Sequence, residues 1–226
     1  MYEPDPSVVV RYFPELLSGL TLTFLTSLAS FGIALVLGLG LALASMSRRR
    51  AVSFLGLGTM DVLRGTPELA QIFWIYYAVP IVFGLPVGAL VTGTIGLGVS
   101  LSAYVAETYR AGLSAVPRGN LEAARGLGMS RGQTLIRIQL PQAALVMIPG
   151  MMNYYVLMLK RTAYLLAIGV PELMFTAYRL GSVTYRPLEL LTAAALLYLI
   201  VAFSFSVAGR RVESVLHRRL AIEIPR

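Results

Sequence analysis

The sequence predicts an all-α integral membrane protein of about five transmembrane helices. Its N-terminus is expected outside and its C-terminus in the cytosol, with a polar cytosolic helix between spans three and four. Three observations carry this. Only 13% of the 226 residues are charged, about half the ~25% of a soluble domain. Hydrophobic residues make up 57%, with a mean hydropathy of +0.73, and they fall in runs long enough to cross a hydrocarbon core of about 30 Å. The arginines cluster at the ends of those runs, as the positive-inside rule requires of cytosolic ends.

The first run extends from about Leu16 to Met46 and stops at Ser47–Arg50. It is too long for the apolar core of a signal peptide and follows an acidic opening, "MYEPDPSVVV", so it is expected to remain as a span. The second runs from about Val52 to Phe83 and is interrupted by "DVLRGTPE", where Pro67 can break the helix and Asp61 and Arg64 stand at i,i+3. Trp74, Tyr76 and Tyr77 suit an interfacial belt or a pocket wall. A turn at Pro86 leads to the third run, Val87 to Ala106. The fourth covers Pro141 to Leu159, with Val170 as its furthest limit, and the fifth runs from Leu188 to Ala208 and stops at Gly209–Arg211. The small residues of "GIALVLGLGLALAS" and "GTIGLGVSLSAY" read as close helix packing, because no strand precedes them as a nucleotide-binding turn would need.

Arg48–Arg50, the arginines between runs three and four (Arg110, Arg118, Arg125, Arg131, Arg137) and Arg210, Arg211, Arg218 and Arg219 fall on one side only if the number of spans is odd. Glu3 and Asp5 then lie outside. The chain reads as one membrane domain over 1–226, with an extracytoplasmic segment 1–15, a cytosolic loop 117–140 and a cytosolic tail 209–226. The net charge of +8 is accounted for by this orientation, and no nucleic-acid partner is expected. With no cysteine and one histidine, His217, in the arginine-rich tail, the chain offers no disulfide, no thiolate metal site and no nucleophile–base set for an enzyme. No metal or cofactor is expected on it. Its only lysine, Lys160, lacks the glycines of a phosphate loop, so it cannot hydrolyse ATP itself.

Ionisable residues within spans default to functional candidates: Glu68, Glu107, Lys160 and Arg161. Lys160 would lie about 28 Å along a helix starting at Pro141, where it and Arg161 could instead snorkel to the outer interface.

The stretch from Glu122 to Pro141 has Glu122, Ala123, Ala124, then Gly128, Ile138, Leu140 and Pro141. Together with "RGTPELAQIFWIYY", "AYVAETYRAG" and "LLAIGVPEL" it resembles the permeases of bacterial ABC importers, in the polar amino acid branch (histidine, arginine, glutamine, opines), over roughly residues 15–215. The resemblance implies a subunit of the bacterial plasma (inner) membrane. In it Glu122, Ala123, Ala124, Arg125, Gly128 and Met129 belong to a coupling helix seated in a cleft of a separate ATPase dimer, which binds ATP and magnesium. Glu122, Arg125 and Met129 are expected on one face, and the small alanines are expected to allow close approach to the ATPase. The resemblance also implies a second permease subunit, non-identical or identical, and an extracytoplasmic substrate-binding protein. It places Lys160, Arg161 and Thr162 near the substrate pocket. Relatives often carry aspartate, asparagine or serine where this chain has Arg161, and serine where it has Ala163. A cationic pair favours a carboxylate-rich or opine-like substrate, unless Glu68 or the partner subunit inverts the local field. The alternative, an ion-coupled secondary carrier acting without an ATPase, would show inverted repeats and more spans.

Overall fold

The computed structural model describes residue 3, residues 5–84 and residues 88–220, with side chains through 214. The expected turn at Pro86 and the side chains of His217, Arg218 and Arg219 lie outside the described residues. All regular structure among the described residues is helical. Four helices are long and apolar enough to cross a membrane, and a shorter apolar helix, Glu68–Phe83, accompanies them.

A single turn, α1 (Ser7–Arg11), leads into α2 (Phe13–Ser45), 33 residues and about 50 Å long at 1.5 Å per residue. The buried positions of α2 recur at three- and four-residue spacing and are nearly all small: Gly19, Thr23, Ser27, Ser30, Ala34, Gly38, Ala42, Ser45. In lipid there is no hydrophobic drive between helices, so close backbone approach has to supply the attraction. The middle of the stripe lies against α6 (Ala89–Ser114), which presents buried Gly98 and Ser102 there, while Gly19 and Thr23 face the helix that begins at Leu173. The approach is tight: a Cβ on Gly38 would stand 2.6 Å from Val105 Cγ1 and 2.9 Å from the Ser102 carbonyl, and one on Gly98 would stand 2.7 Å from Ile33. Ser30 donates to the Thr94 carbonyl across the seam at 2.9 Å.

The second run is two helices. α3 (Arg50–Gly65) ends at Thr66, whose backbone is extended (φ −101°, ψ 142°), and α4 (Glu68–Phe73) starts after Pro67. The proline ring denies Thr66 the helical region. The expected interruption at "DVLRGTPE" narrows to two residues, because Asp61 and Arg64 sit within α3 and pair at 2.7 Å. From α4 the chain passes through a π-helical turn (Trp74–Ala78) into α5 (Val79–Phe83). Trp74 and Tyr77 are exposed, whereas Tyr76 packs on the core.

α6 runs eight residues past the expected end at Ala106 and stops at Ser114. α7 (Arg118–Gly126) and α8 (Arg131–Thr134) fill the polar loop. A second π-helical turn (Leu135–Gln139) joins α9 (Leu140–Arg161), which tightens into a 3₁₀ segment, Thr162–Ile168, that ends at Gly169 with φ +78°. A separate helix absent from the sequence reading, α10 (Leu173–Thr184), then packs on α2 and α11 (Pro187–Leu220). Run five stops as an apolar stretch at Gly209–Arg211, but the helix does not: α11 continues through both arginines. A charge at that point marks the end of an apolar stretch, while arginine is itself a good helix former.

The close α2–α6 seam makes two glycines behave oppositely. Gly38→Ala is expected to lower stability by about 1–3 kcal/mol through overpacking. Gly32→Ala, whose Cβ would meet nothing within 4 Å, is expected to be neutral or to gain up to about 1 kcal/mol from helix propensity. Thermal unfolding of the two variants in detergent checks this.

Candidate functional site

Two of the five residues singled out inside the spans meet. Arg161 and Glu68 form a two-point ion pair, Nε to Oε2 at 3.1 Å and Nη1 to Oε1 at 3.4 Å, with only 17% and 12% of the side chains exposed. Each lies at a discontinuity in its span: Glu68 opens α4 directly after the break at Pro67, and Arg161 closes α9 where the helix tightens. An acid in a first helical turn and a base in a last turn are both favoured by the helix dipole. The guanidinium also lies over the Tyr104 ring, 5.5 Å from its centroid, and Tyr104 in turn approaches Tyr154 at 6.0 Å. Arg161 is therefore drawn inward and does not snorkel. The forked geometry matches carboxylate chemistry, and the aromatic face beneath adds cation–π attraction.

The remaining three stand apart. Lys160 is exposed and has no ion-pair partner among the described residues. Thr162 is fully buried, donates to the Leu159 carbonyl at 2.8 Å and faces Tyr198 rather than Glu68. Consecutive helical residues point in different directions, so 160, 161 and 162 cannot share one pocket wall. Glu107, three residues beyond Tyr104, pairs with Arg110 at 2.8 Å.

Thr162 belongs to a polar cluster that sequence reading missed. Glu172, fully buried, accepts from the Tyr198 hydroxyl at 2.6 Å, from the Phe175 N–H at 2.7 Å and from Thr23 at 3.4 Å. Thr23 also accepts from the Leu173 N–H at 3.1 Å. The carboxylate thus caps α10 and ties α2, α10 and α11 at one point. A buried charge is tolerable only when hydrogen-bonded in this way. The signal was local: a carboxylate directly after proline, in "GVPEL", marks a helix start.

The polar loop is a compact helix–turn–helix. α7 ends in a Schellman closure: Met129 N donates to the Ala124 carbonyl at 3.1 Å, Gly128 N donates to the Arg125 carbonyl at 2.9 Å, and Gly128 takes φ +76°. Ser130 and Gln133 then form a reciprocal capping box on α8. The loop is fastened to the bundle by Asn120 to Gln142 at 2.9 Å and Gln139 to the Leu113 carbonyl at 3.2 Å. Two expectations are corrected. Met129 lies beyond the helix end and shares no helical face with Glu122 and Arg125, because the closure at Gly128 reverses the chain. Ala124 is packed inside the subunit at 3% exposure, so the outward surface is Glu122, Ala123 and Arg125, with Leu127 at 84% exposure beside them.

A capped polar hairpin thus joins the long helices α6 and α9, and the run before them is interrupted at Pro67. Residues 34–221 match the family described as "binding-protein-dependent transport system inner membrane component", and the chain belongs to it. It is a multi-pass inner-membrane permease subunit of the ABC importer class. It is 32% identical to the arginine transport system permease protein ArtQ of Bacillus subtilis, over 92% of this chain and 95% of that one. It is 37% identical to the octopine transport system permease protein OccM of Rhizobium meliloti, over 88% and 84%. Among solved structures it is similar to an amino acid ABC transporter crystallised with histidines, with a TM-score of 0.87 and 34% identity over 96% of this chain and 100% of that chain. It shares its fold with the inward-facing MetNI methionine ABC transporter, with a TM-score of 0.70 and 21% identity over 96% and 99%.

Removing one partner of a buried pair strands the other charge, at a cost of about 3–5 kcal/mol. Arg161→Met is therefore expected to lower the unfolding temperature markedly, and the double variant Glu68→Gln/Arg161→Met is expected to recover most of the loss, as read by thermal unfolding of the purified subunit assembly.

Proposed function

We propose that this chain moves a polar amino acid or amino-acid derivative across the inner membrane by alternating access, with the Glu68–Arg161 pair on the substrate path. The observation that carries the reading is that pair itself: a forked, largely buried acid–base contact between the short apolar helix that starts at Glu68 and the end of α9, at a helix break and a helix end. Such breaks mark transporter binding sites. The pair is self-neutralising, so the incoming molecule has to offer both charges. Its carboxylate takes Arg161 and its ammonium takes Glu68. Lys160 is exposed and turned away from the pair, so it has weaker support as a contact, and the preference for carboxylate-rich and opine-like molecules rests on the Arg161 fork. Names among the relatives, arginine and octopine permeases, agree with a polar amino acid or derivative. Thr162 and Glu107 have weaker support as contacts, since each is turned to its own partner.

Energy comes from a separate ATPase dimer that binds ATP and magnesium, and cargo from an extracytoplasmic binding protein. A second permease subunit, homologous and non-identical or identical, completes the pathway. The hairpin α7–α8 is the part that fits the ATPase: it is capped at its internal turn, fastened to α6 and α9 at its base, and presents Glu122, Ala123 and Arg125 outward. A helix that cannot slip transmits displacement. This reading keeps the N-terminus outside and the hairpin in the cytosol, in line with the arginine distribution.

The direct test is reconstitution with an ATPase and binding protein in proteoliposomes. Substrate-stimulated ATP hydrolysis is expected across L-arginine, L-glutamine, L-glutamate and octopine as probes, for at least one of them. Uptake by this chain alone on an ion gradient would overturn the reading in favour of a secondary carrier. Glu122→Arg is expected to abolish uptake while leaving membrane insertion intact, with ATP hydrolysis no longer stimulated by cargo. Arg161→Asp converts the pair into two acids and is expected to shift preference about tenfold or more toward L-arginine over L-glutamate, about 1.4 kcal/mol or more of discrimination. An unchanged preference profile would remove Arg161 from the substrate path.

A further inference from the structure

The bend at Pro67 has a repair that the transport reading does not use. In an uninterrupted helix the Leu63 carbonyl would accept from the N–H of residue 67, but residue 67 is proline and has none. Inside lipid an orphaned carbonyl has no water to turn to. Gln71 fills the gap from one turn further on: its Nε2 donates to the Leu63 carbonyl at 2.8 Å. It also reaches Thr66 Oγ1 at 2.6 Å and the Thr66 carbonyl at 3.2 Å. Thr66 has given its own hydroxyl hydrogen to the Val62 carbonyl at 2.9 Å, so its oxygen is free to accept. One primary amide therefore clasps the last turn of α3 to the first turns of α4. Its own Oε1 is buried with no hydrogen-bond partner among the described residues, so the nitrogen end alone holds the clasp.

Glu68 stands three residues before Gln71, at the start of the same helix. The angle at which α4 leaves α3 decides where Glu68 points. Between the two arms lies an open groove of about 450 Å³, lined by Leu63 and Thr66 on one side and Ala70, Gln71 and Trp74 on the other. Met60 of α3 and Ile72 of α4, both fully buried, anchor the two arms on α6, while on the groove side the bend has room to change.

We infer that Gln71 is a positioning residue: its side-chain amide sets the bend of span two and so holds Glu68 against Arg161. The consequence for transport rests on Glu68 lying on the substrate path; the consequence for geometry does not. The chain contains no cysteine, so a spin-label pair at Leu69→Cys and Tyr164→Cys, both exposed positions, reports the separation of α4 from the end of α9 in the assembled importer. Gln71→Leu is expected to shift or broaden that distance distribution; an unchanged distribution overturns the inference. In uptake of L-arginine, L-glutamine and octopine, Gln71→Leu is expected to raise KM about tenfold (about 1.4 kcal/mol) with kcat changed less than about twofold. The same substitution made in Glu68→Gln is expected to add nothing further; KM effects that multiply overturn it.

Adding Pro67→Ala to Gln71→Leu separates positioning from mere stabilisation. The backbone N–H that this second substitution restores can then serve the Leu63 carbonyl directly and straighten the span. Thermal stability is expected to return while KM stays high. Recovery of both would mean that Gln71 only stabilises. If Glu68→Gln alone leaves KM unchanged, the substrate role of Glu68 fails, and the spin-label distance decides the clasp by itself.

Discussion

Within the hydrocarbon layer every backbone N–H and carbonyl has to find its partner in the protein, and the rest of this subunit is organised around that demand. Unbroken helices meet it without help, which is why α2 and α6 can be built from glycine, serine and alanine and still hold together by close approach. At two of the points where the chain departs from a plain helix, a side chain appears at the fault. Gln71 covers the carbonyl freed by Pro67. Glu172 caps the N-terminus of α10 after the turn at Gly169, and Thr23 accepts the neighbouring N–H of Leu173. Other buried hydroxyls, those of Ser27, Ser45, Thr92 and Ser102, donate to a carbonyl three or four residues back in the chain.

The same faults are what make charge tolerable. Glu68 and Arg161 would each be expensive on a straight lipid-facing helix. At a first turn and a last turn they sit where the helix dipole favours their sign, and they neutralise one another over an aromatic floor. A pair that is stable only because its partners are present is also one that a zwitterion can substitute for, offering the same two charges in the reverse sense. Under the proposed function, the contact that would bind the substrate and the contact that steadies the two helices are the same one.

The hairpin α7–α8 obeys a different rule because it is polar and has exposed surface. Its stiffness comes from terminal closures, the Schellman turn at Gly128 and the capping box at Ser130, and from two ties to neighbouring helices. Between the Glu68–Arg161 pair and this hairpin run α6 and α9. Tyr104 and Arg161 belong to the same two helices whose other ends carry the ties to Leu113 and Gln142. α6 is uninterrupted between its two points, whereas α9 carries Pro149 between Gln142 and Arg161, so displacement is carried most directly along α6.

Much of this was legible in the residues. Low charge, apolar runs and arginine placement determine a helical membrane subunit, because lipid admits few solutions and each leaves a compositional trace. The spacing from Glu122 to Pro141 identified the hairpin, since a polar insert between spans stands out. The in-span charges named Glu68 and Arg161 as candidates because ionisable residues there are rare. What the residues alone did not determine was partnership. Nothing in the order of the chain says that residue 161 turns to residue 68 while 160 and 162 turn elsewhere, that Ala124 packs inward while Ala123 does not, or that Glu172, Tyr198 and Thr23 converge from three helices. Those facts depend on the crossing of helices far apart in sequence and on where a proline or a left-handed glycine stops one helix and aims the next. A one-dimensional pattern carries periodicity; only the packed bundle decides which faces meet.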